Sequence, residues 1–296
     1  MSRFKAWFQG VRPQTLITSV APVIMGTVIA YRGGSFHTVT LIMTLLFTLC
    51  THIGTNLAND YFDFIKGADT EQRKGPHSAL LSRSIAPNMM KRGMHLAFLC
   101  AFFLSWPLII RSGYWTLPLF VLSILVGYGY SAGPWPLSYL GLGDPFVFLG
   151  FGPFATVGSA YLQSHTIEPM AIISGMGIGL VSVSLLIINH LRDIDEDRLA
   201  NKKTLVVRFG KTFGKWEYFF CMIGAIFTLF FCGGGESFFS LFVNIAVGTP
   251  MLFLVWKVLR SDKNEKAIGP LFAHTARLLF IYPVAFIINY LHPFSA

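Results

Sequence analysis

Carboxylates and carboxamides recur at helical spacing in two places along this chain. The first stretch runs from Asn56 to Asp69, and in a helix Asn56, Asp60 and Asp63 stand at i, i+4 and i+7 on one face, with Asn59 and Asp63 as a second i, i+4 pair. The second runs from Asn189 to Arg198 and places Asn189, Asp193 and Asp197 at i, i+4 and i+8. Like charges on one face repel, and at the C-terminal end of an apolar helix they also oppose the helix dipole, so a cation is the natural compensation. Hard oxygen donors with no cysteine or paired histidine favour Mg²⁺ over zinc. Magnesium held by few carboxylates keeps positions open for phosphate oxygens. Both stretches also have basic neighbours, namely Lys66, Arg73 and Lys74 at the first and Arg192, Arg198, Lys202 and Lys203 at the second. The expected ligand is a diphosphate. The alternative is a pair of solvated loops whose charges only mark a membrane surface.

The elements that must position these groups are set by hydropathy. Of the 296 residues 53% are hydrophobic and 12% charged, about half the charged share of a soluble domain, which excludes an ordinary soluble enzyme. Apolar runs near twenty residues long are bounded by polar, Gly or Pro punctuation at roughly 14–31, 38–58, 94–110, 115–131, 143–163, 169–190, 217–232, 238–256 and 271–291. The expected fold is all-α, a polytopic membrane protein of about nine transmembrane helices around a central cavity, with residues 1–296 as one domain. Nine spans place the termini on opposite sides of the bilayer. Twenty of the 23 Lys and Arg residues lie at the N-terminus or in the loops after even-numbered spans, while Arg32 and Arg111 lie on the other side and Arg277 falls inside the last span. The positive-inside rule then puts the N-terminus in the cytoplasm, in a multi-pass protein of the cytoplasmic (inner) membrane. The net charge of +9 reflects these loops, and nucleic-acid binding is discounted. The first apolar run continues past Pro22 without a small-residue cleavage signature, so it reads as a retained span.

Eight of the fourteen acidic residues, Asp60, Asp63, Asp69, Glu71, Asp193, Asp195, Glu196 and Asp197, lie in the two longest loops, both on the expected cytoplasmic face. Asn56 and Asp60 recur as Asn189 and Asp193 after an offset of 133 residues, compatible with a repeated four-helix unit followed by a ninth helix. Cys50, Cys100, Cys221 and Cys232 sit inside apolar runs without ligand spacing and read as packing residues. The stretch from Tyr128 to Asp144 is rich in Gly and Pro and, taken alone, reads as an interhelical turn. His52, His190 and His274 read as hydrogen-bonded helix residues. Arg277 needs an anionic partner or a cavity, or must snorkel to the surface.

On these residues the chain resembles the UbiA superfamily of intramembrane aromatic prenyltransferases, over its whole length. Asn59, Asp60 and Asp63 match the family's N-D-x-x-D motif, and Asp193 with Asp197 match its D-x-x-x-D motif. The K-G-x-D continuation at Lys66, Gly67 and Asp69, the Asn189–Arg198 context and the Tyr130–Gly143 segment are similar to the menaquinone branch, whose acceptor is 1,4-dihydroxy-2-naphthoate. The pattern departs near Ser78, where relatives often place Arg, and near Arg83, where they often place Gly. The resemblance implies transfer of a polyprenyl group from polyprenyl diphosphate to an aromatic acceptor, with decarboxylation of a naphthoate. It further implies Mg²⁺ held by Asp60, Asp63, Asp69, Asp193 and Asp197, substrate contacts from Asn56, Asn59, Lys66, Tyr130, Asn189, Arg192 and Lys202, and a prenyl tail directed toward lipid. Arg12 is the nearby cation suited to the acceptor's acid group. The rival readings are another acceptor, 4-hydroxybenzoate or homogentisate, and a transporter. A transporter is disfavoured because alternating access wants its charges near the midplane, not on one face.

Overall fold

Nine apolar segments form helices where hydropathy places them, and every element among the described residues is helical. The computed structural model describes residues 2–68, 79–232, 238–261 and 268–291. A short helix α1 (Arg3–Val11) precedes α2 (Pro13–Arg32), α3 (Thr38–Ile65) and α4 (Pro87–Ser112). A 3₁₀ turn at Tyr114–Thr116 opens α5 (Leu117–Gly129); α6 (Gly143–Leu149) runs through a π turn into α7 (Ala155–Ser164). Then follow α8 (Pro169–Arg192), α9 (Ile194–Leu199), α10 (Leu205–Cys232), α11 (Phe238–Leu259) and α12 (Ile268–Leu291). Eight helical segments are long and apolar enough to cross a bilayer, counting α6 to α7 as one, and Tyr114–Gly129 is a shorter ninth.

The differences from the hydropathy reading fall where the chemistry is. The second span was placed at 38–58, yet α3 continues to Ile65. Its 28 residues extend about 42 Å against a hydrocarbon core of about 30 Å, so its last turns carry polar side chains beyond the lipid. The segment after α5 is more than a turn. Its backbone satisfies itself and its neighbours, with Leu137 N–H donating to Gly129 O at 3.3 Å, Ser138 N–H to Tyr130 O at 2.9 Å and Lys203 N–H to Tyr139 O at 2.9 Å. Irregular backbone beside a bilayer requires such pairing. Gly141 fixes the crossing of this segment with residues 200–204, because its φ is +73° and a Cβ there would lie 2.3 Å from the Lys203 carbonyl oxygen.

The continuous polar stripe expected from Asn189 to Asp197 is instead kinked. Asp193 ends α8 and begins α9 at φ −100°, ψ 16°, although the i to i−4 bonds into and out of it persist. Farther on, α10 bends at Gly210, so the loop expected up to residue 216 is largely helical. Arg83 takes φ +51°, a left-handed backbone that costs a non-glycine residue about 1 kcal/mol.

The interior divides into a larger core, with residues from α2, α7, α8 and α10 to α12, a smaller one drawn from α1, α3, α4 and residues 79–85, and a third where Phe47, Ala101, Leu108, Ile109, Phe120 and Leu162 meet. Helices approach closely where side chains are small: a Cβ on Gly26 of α2 would lie 2.3 Å from the Thr156 carbonyl of α7. The first acidic stretch belongs to the smaller core and the second to the larger. Four apolar-run cysteines are free thiols, and His52 is a core histidine within 2.6 Å of Ser19 Oγ.

Candidate active site

Because α3 stays helical to Ile65, its carboxamide and carboxylates stand on one buried face: Asn56, Asp60 and Asp63 are 8%, 5% and 2% exposed. Solvated loop charges would not be so enclosed. The break between α1 and α2 supplies the first cation. Arg12 adopts a left-handed backbone, with Pro13 opening α2 behind it. Its guanidinium donates to Asn59 Oδ1 at 3.0 Å and pairs with Asp60, while Asn56 Nδ2 donates to the Val11 carbonyl at 2.9 Å. Arg12 is thus tied to the first acidic stretch.

Asp63 is the joint between the two stretches. Tyr139 Oη donates to its Oδ1 at 2.8 Å and Lys202 Nζ to its Oδ2 at 2.7 Å. Lys202 comes from the turn after α9, where its own N–H donates to the Asp197 carbonyl at 2.8 Å. One ammonium therefore spans from the second stretch to the first. Lys66 Nζ donates to the Ser131 carbonyl at 2.9 Å and lies 4.3 Å from the centre of the Tyr139 ring. Burial lowers its pKa, Asp63 opposes that shift, and Lys202 adds to it. Asn59 Nδ2 reaches Ser131 Oγ at 3.0 Å. Tyr130 begins the same loop, and burial first, then the fields of Asp144, Asp197 and Asp63, raise its pKa and keep the hydroxyl protonated.

In the second stretch Arg192 grips Asp193 with two bonds of 2.6 Å, a bidentate contact that fixes the carboxylate at the kink. Asp197 is buried, and desolvation raises its pKa; Lys202 and His190 pull the other way, while Asp193 and Asp63 add to the rise. Asn189 is half-buried in the last turn of α8. The structure thus gathers Asn56, Asn59, Asp60, Asp63, Lys66, Lys202 and Asp197, with Tyr130 within electrostatic reach and Asp193 and Arg192 at the adjoining kink. Asp69, Arg73 and Lys74 lie outside the described residues. Tyr139 and Ser131, which touch this network directly, were not singled out from the sequence. The signal available was their place in the Tyr130–Gly143 segment, whose Gly and Pro content read as a turn. Arg12 meets Asp60 and Asn59 rather than standing free for an acceptor's acid group.

The donor set suits a hard divalent cation. Asp60, Asp63, Asp193 and Asp197 offer only oxygens, with the amide oxygens of Asn56, Asn59 and Asn189 beside them, and no soft ligand intervenes. Among the described residues no three acidic, histidine or cysteine side chains already close into a ligand set, and basic side chains engage Asp60, Asp63 and Asp193. Four carboxylates face the four cations Arg12, Lys66, Arg192 and Lys202, so the site is close to neutral before any anion enters.

Comparison with known proteins agrees with this geometry. The family model described as the UbiA prenyltransferase family matches residues 19–280. The 1,4-dihydroxy-2-naphthoate octaprenyltransferase of Escherichia coli (strain K12) is 32% identical, over 98% of this chain and 96% of its own. That of Haemophilus influenzae is 35% identical over 72% of each chain. Among solved structures, a UbiA homologue from Aeropyrum pernix K1 superposes with a TM-score of 0.71 at 12% identity, covering 94% of this chain and 98% of its own. A UbiA homologue from Archaeoglobus fulgidus bound to DMAPP and Mg²⁺ gives 0.65 at 13% identity over 95% and 99%. These last two are likenesses of fold. With two acidic stretches joined across a helical bundle and a family model spanning most of its length, the chain belongs to the UbiA prenyltransferase family.

Proposed function

We propose that the protein transfers a polyprenyl group from polyprenyl diphosphate to 1,4-dihydroxy-2-naphthoate, with loss of the carboxylate as CO₂, in menaquinone biosynthesis. The observation that carries this is the joining of the two acidic stretches through Lys202 and Asp63, beside full-length similarity to a naphthoate octaprenyltransferase. Mg²⁺ held by Asp60, Asp63, Asp69, Asp193 and Asp197 would supply the positive charge that makes diphosphate a better leaving group. The residues present do the rest. In this reading Lys66, Lys202 and Arg192 bind diphosphate oxygens, and Tyr130 and Tyr139 offer hydroxyls to the same anion. Asn56, bonded to the Val11 carbonyl, and Asn59, bonded to Ser131 Oγ, hold the α1–α2 break and the loop after α5 against α3 beside the carboxylates. Burial of Asp60, Asp63 and Asp197 excludes water, which would otherwise capture the allylic cation before the electron-rich ring does.

A panel of acceptors with labelled polyprenyl diphosphate and purified protein tests the assignment. The expected result is prenylation of 1,4-dihydroxy-2-naphthoate well above 4-hydroxybenzoate and homogentisate. Preference for 4-hydroxybenzoate would overturn the acceptor and leave the family standing.

The same reading places the N-terminus in the cytoplasm and the chemistry on the cytoplasmic face of the inner membrane. Reporter fusions at the two termini should report opposite sides, with the N-terminal fusion inside. Both ends on one side would remove a span from the topology.

A further inference from the structure

Beside the network around Asp63, a second group of ionisable side chains lies on α6, α8 and α10. Asp144, in the first turn of α6, is 4% exposed, and neither of its carboxylate oxygens has a hydrogen bond among the described residues. Facing it, His190 of α8 places Nδ1 3.6 Å from Asp144 Oδ1, just beyond bonding reach, and this nitrogen is also buried without a hydrogen-bond partner. The expectation that His190 is a hydrogen-bonded helix residue is not met at Nδ1, whereas His52 and His274 both have such contacts. Glu217 of α10, whose Oε2 is likewise buried and unbonded, lies within electrostatic reach of Asp144. Native interiors rarely leave such atoms without partners.

We infer that Asp144 and His190 bind a hydroxyl group of the aromatic acceptor, so that the pair orients the ring toward the allylic carbon of the bound prenyl diphosphate. This rests on the proposed function and adds a positioning site to it. Charge selects the ligand. The diphosphate belongs beside Arg12, Lys66, Arg192 and Lys202, and Asp144 and Glu217 would repel an anionic group set against them, so the pair takes a hydroxyl of the acceptor and the acceptor's carboxylate faces away from it. A phenolic O–H donates to a carboxylate or to a neutral imidazole nitrogen and brings no charge. Location agrees, because the pair is contiguous with the diphosphate end. The Tyr130 hydroxyl lies against Gly143, next to Asp144, and its field partners include both Asp144 and Asp197. His190 follows Asn189 on α8 and acts electrostatically on Asp197. Withholding hydrogen-bond partners also discriminates, since an acceptor lacking the hydroxyl leaves both buried groups unsatisfied.

The test uses the full chain in lipid nanodiscs and compares wild type with Asp144→Ala and His190→Gln. Steady-state KM is measured for each substrate, and Ki for the mono-O-methyl ethers of the acceptor. Expected is a tenfold or greater rise in acceptor KM in both variants, with KM for the polyprenyl diphosphate within twofold of wild type. In wild type, methylating one hydroxyl should weaken binding at least tenfold; in the variants the same methylation should change it little, because the partner of that hydroxyl is already gone. Equal methylation penalties in wild type and variants would overturn the inference, as would a KM change confined to the diphosphate. Should Asp144→Ala fail to insert, His190→Gln carries the same cycle. A wild type that prefers 4-hydroxybenzoate would refute the acceptor assignment alone, and the cycle run with that ring and its O-methyl ether would still decide whether Asp144 and His190 read the hydroxyl.

Discussion

Replacing Asp63 by Asn is expected to lower turnover by about 10²-fold or more while the protein still inserts and folds in the membrane. The substitution preserves side-chain size and one acceptor oxygen, so the bond from Tyr139 at 2.8 Å has a replacement. What it removes is the charge that Lys202 meets at 2.7 Å in a position 2% exposed. Two consequences follow together. The ammonium loses its buried counter-charge, which costs stability on the order of 3 kcal/mol, and the residue that spans the two acidic stretches is no longer held between them. Turnover per folded molecule separates these, so activity is normalised to the protein recovered after size-exclusion chromatography in detergent. The double variant Asp63→Asn with Lys202→Gln should regain stability without regaining activity, because it removes the stranded charge along with the carboxylate. Near-normal turnover of Asp63→Asn would mean that the Asp63 carboxylate and its bond to Lys202 serve the fold and take no part in the reaction.

How much of this could be read in advance follows from what hydropathy and spacing encode. The nine spans were legible because an uncompensated polar backbone cannot enter lipid, so apolar length is imposed on each crossing helix. The pairing of Asn56, Asp60 and Asp63 on one face was legible because 3.6-residue periodicity continues past the end of an apolar run; hydropathy marked the lipid boundary near residue 58, not the end of α3 at Ile65. The kink at Asp193 was not legible, since spacing alone cannot distinguish a straight stripe from one whose dihedrals shift at a single residue. Tyr139 and Ser131 escaped for a related reason. Gly and Pro forecast a turn correctly in kind, but the contacts of that turn depend on Gly141 passing over the Lys203 carbonyl, a long-range approach that local composition does not record. Helix α1 escaped because nine residues are too short to stand out as a span, although it carries Arg12 to Asp60. Arg277 was legible as an anomaly only. It is exposed beside His274 at 3.4 Å and lines a groove of about 410 Å³ with Gln14 and Phe272, so of the partner, cavity or snorkelling expected for it the cavity is what the structure provides.

Removal of divalent metal should abolish turnover altogether, and added Mg²⁺ should restore it. The reason is the charge balance of the site. Asp60, Asp63, Asp193 and Asp197 are set against Arg12, Lys66, Arg192 and Lys202, four charges against four, so an incoming diphosphate leaves the site net negative. Each uncompensated contact between like charges near 4 Å costs about 4 kcal/mol at an effective dielectric of 20, and a diphosphate beside four carboxylates would make several. Lys66, bonded to the Ser131 carbonyl, can turn to the phosphate, but drawing Lys202, Arg12 or Arg192 onto it strips Asp63, Asp60 or Asp193 of its partner. Only added positive charge relieves both, and oxygen-only donors specify a hard cation to carry it. Purified protein dialysed against EDTA should therefore show background prenyl transfer, return to full rate with millimolar Mg²⁺, and bind polyprenyl diphosphate at least tenfold more weakly without the metal. Undiminished turnover in excess chelator would require a different source of charge neutralisation and would remove the metal from the proposed reaction.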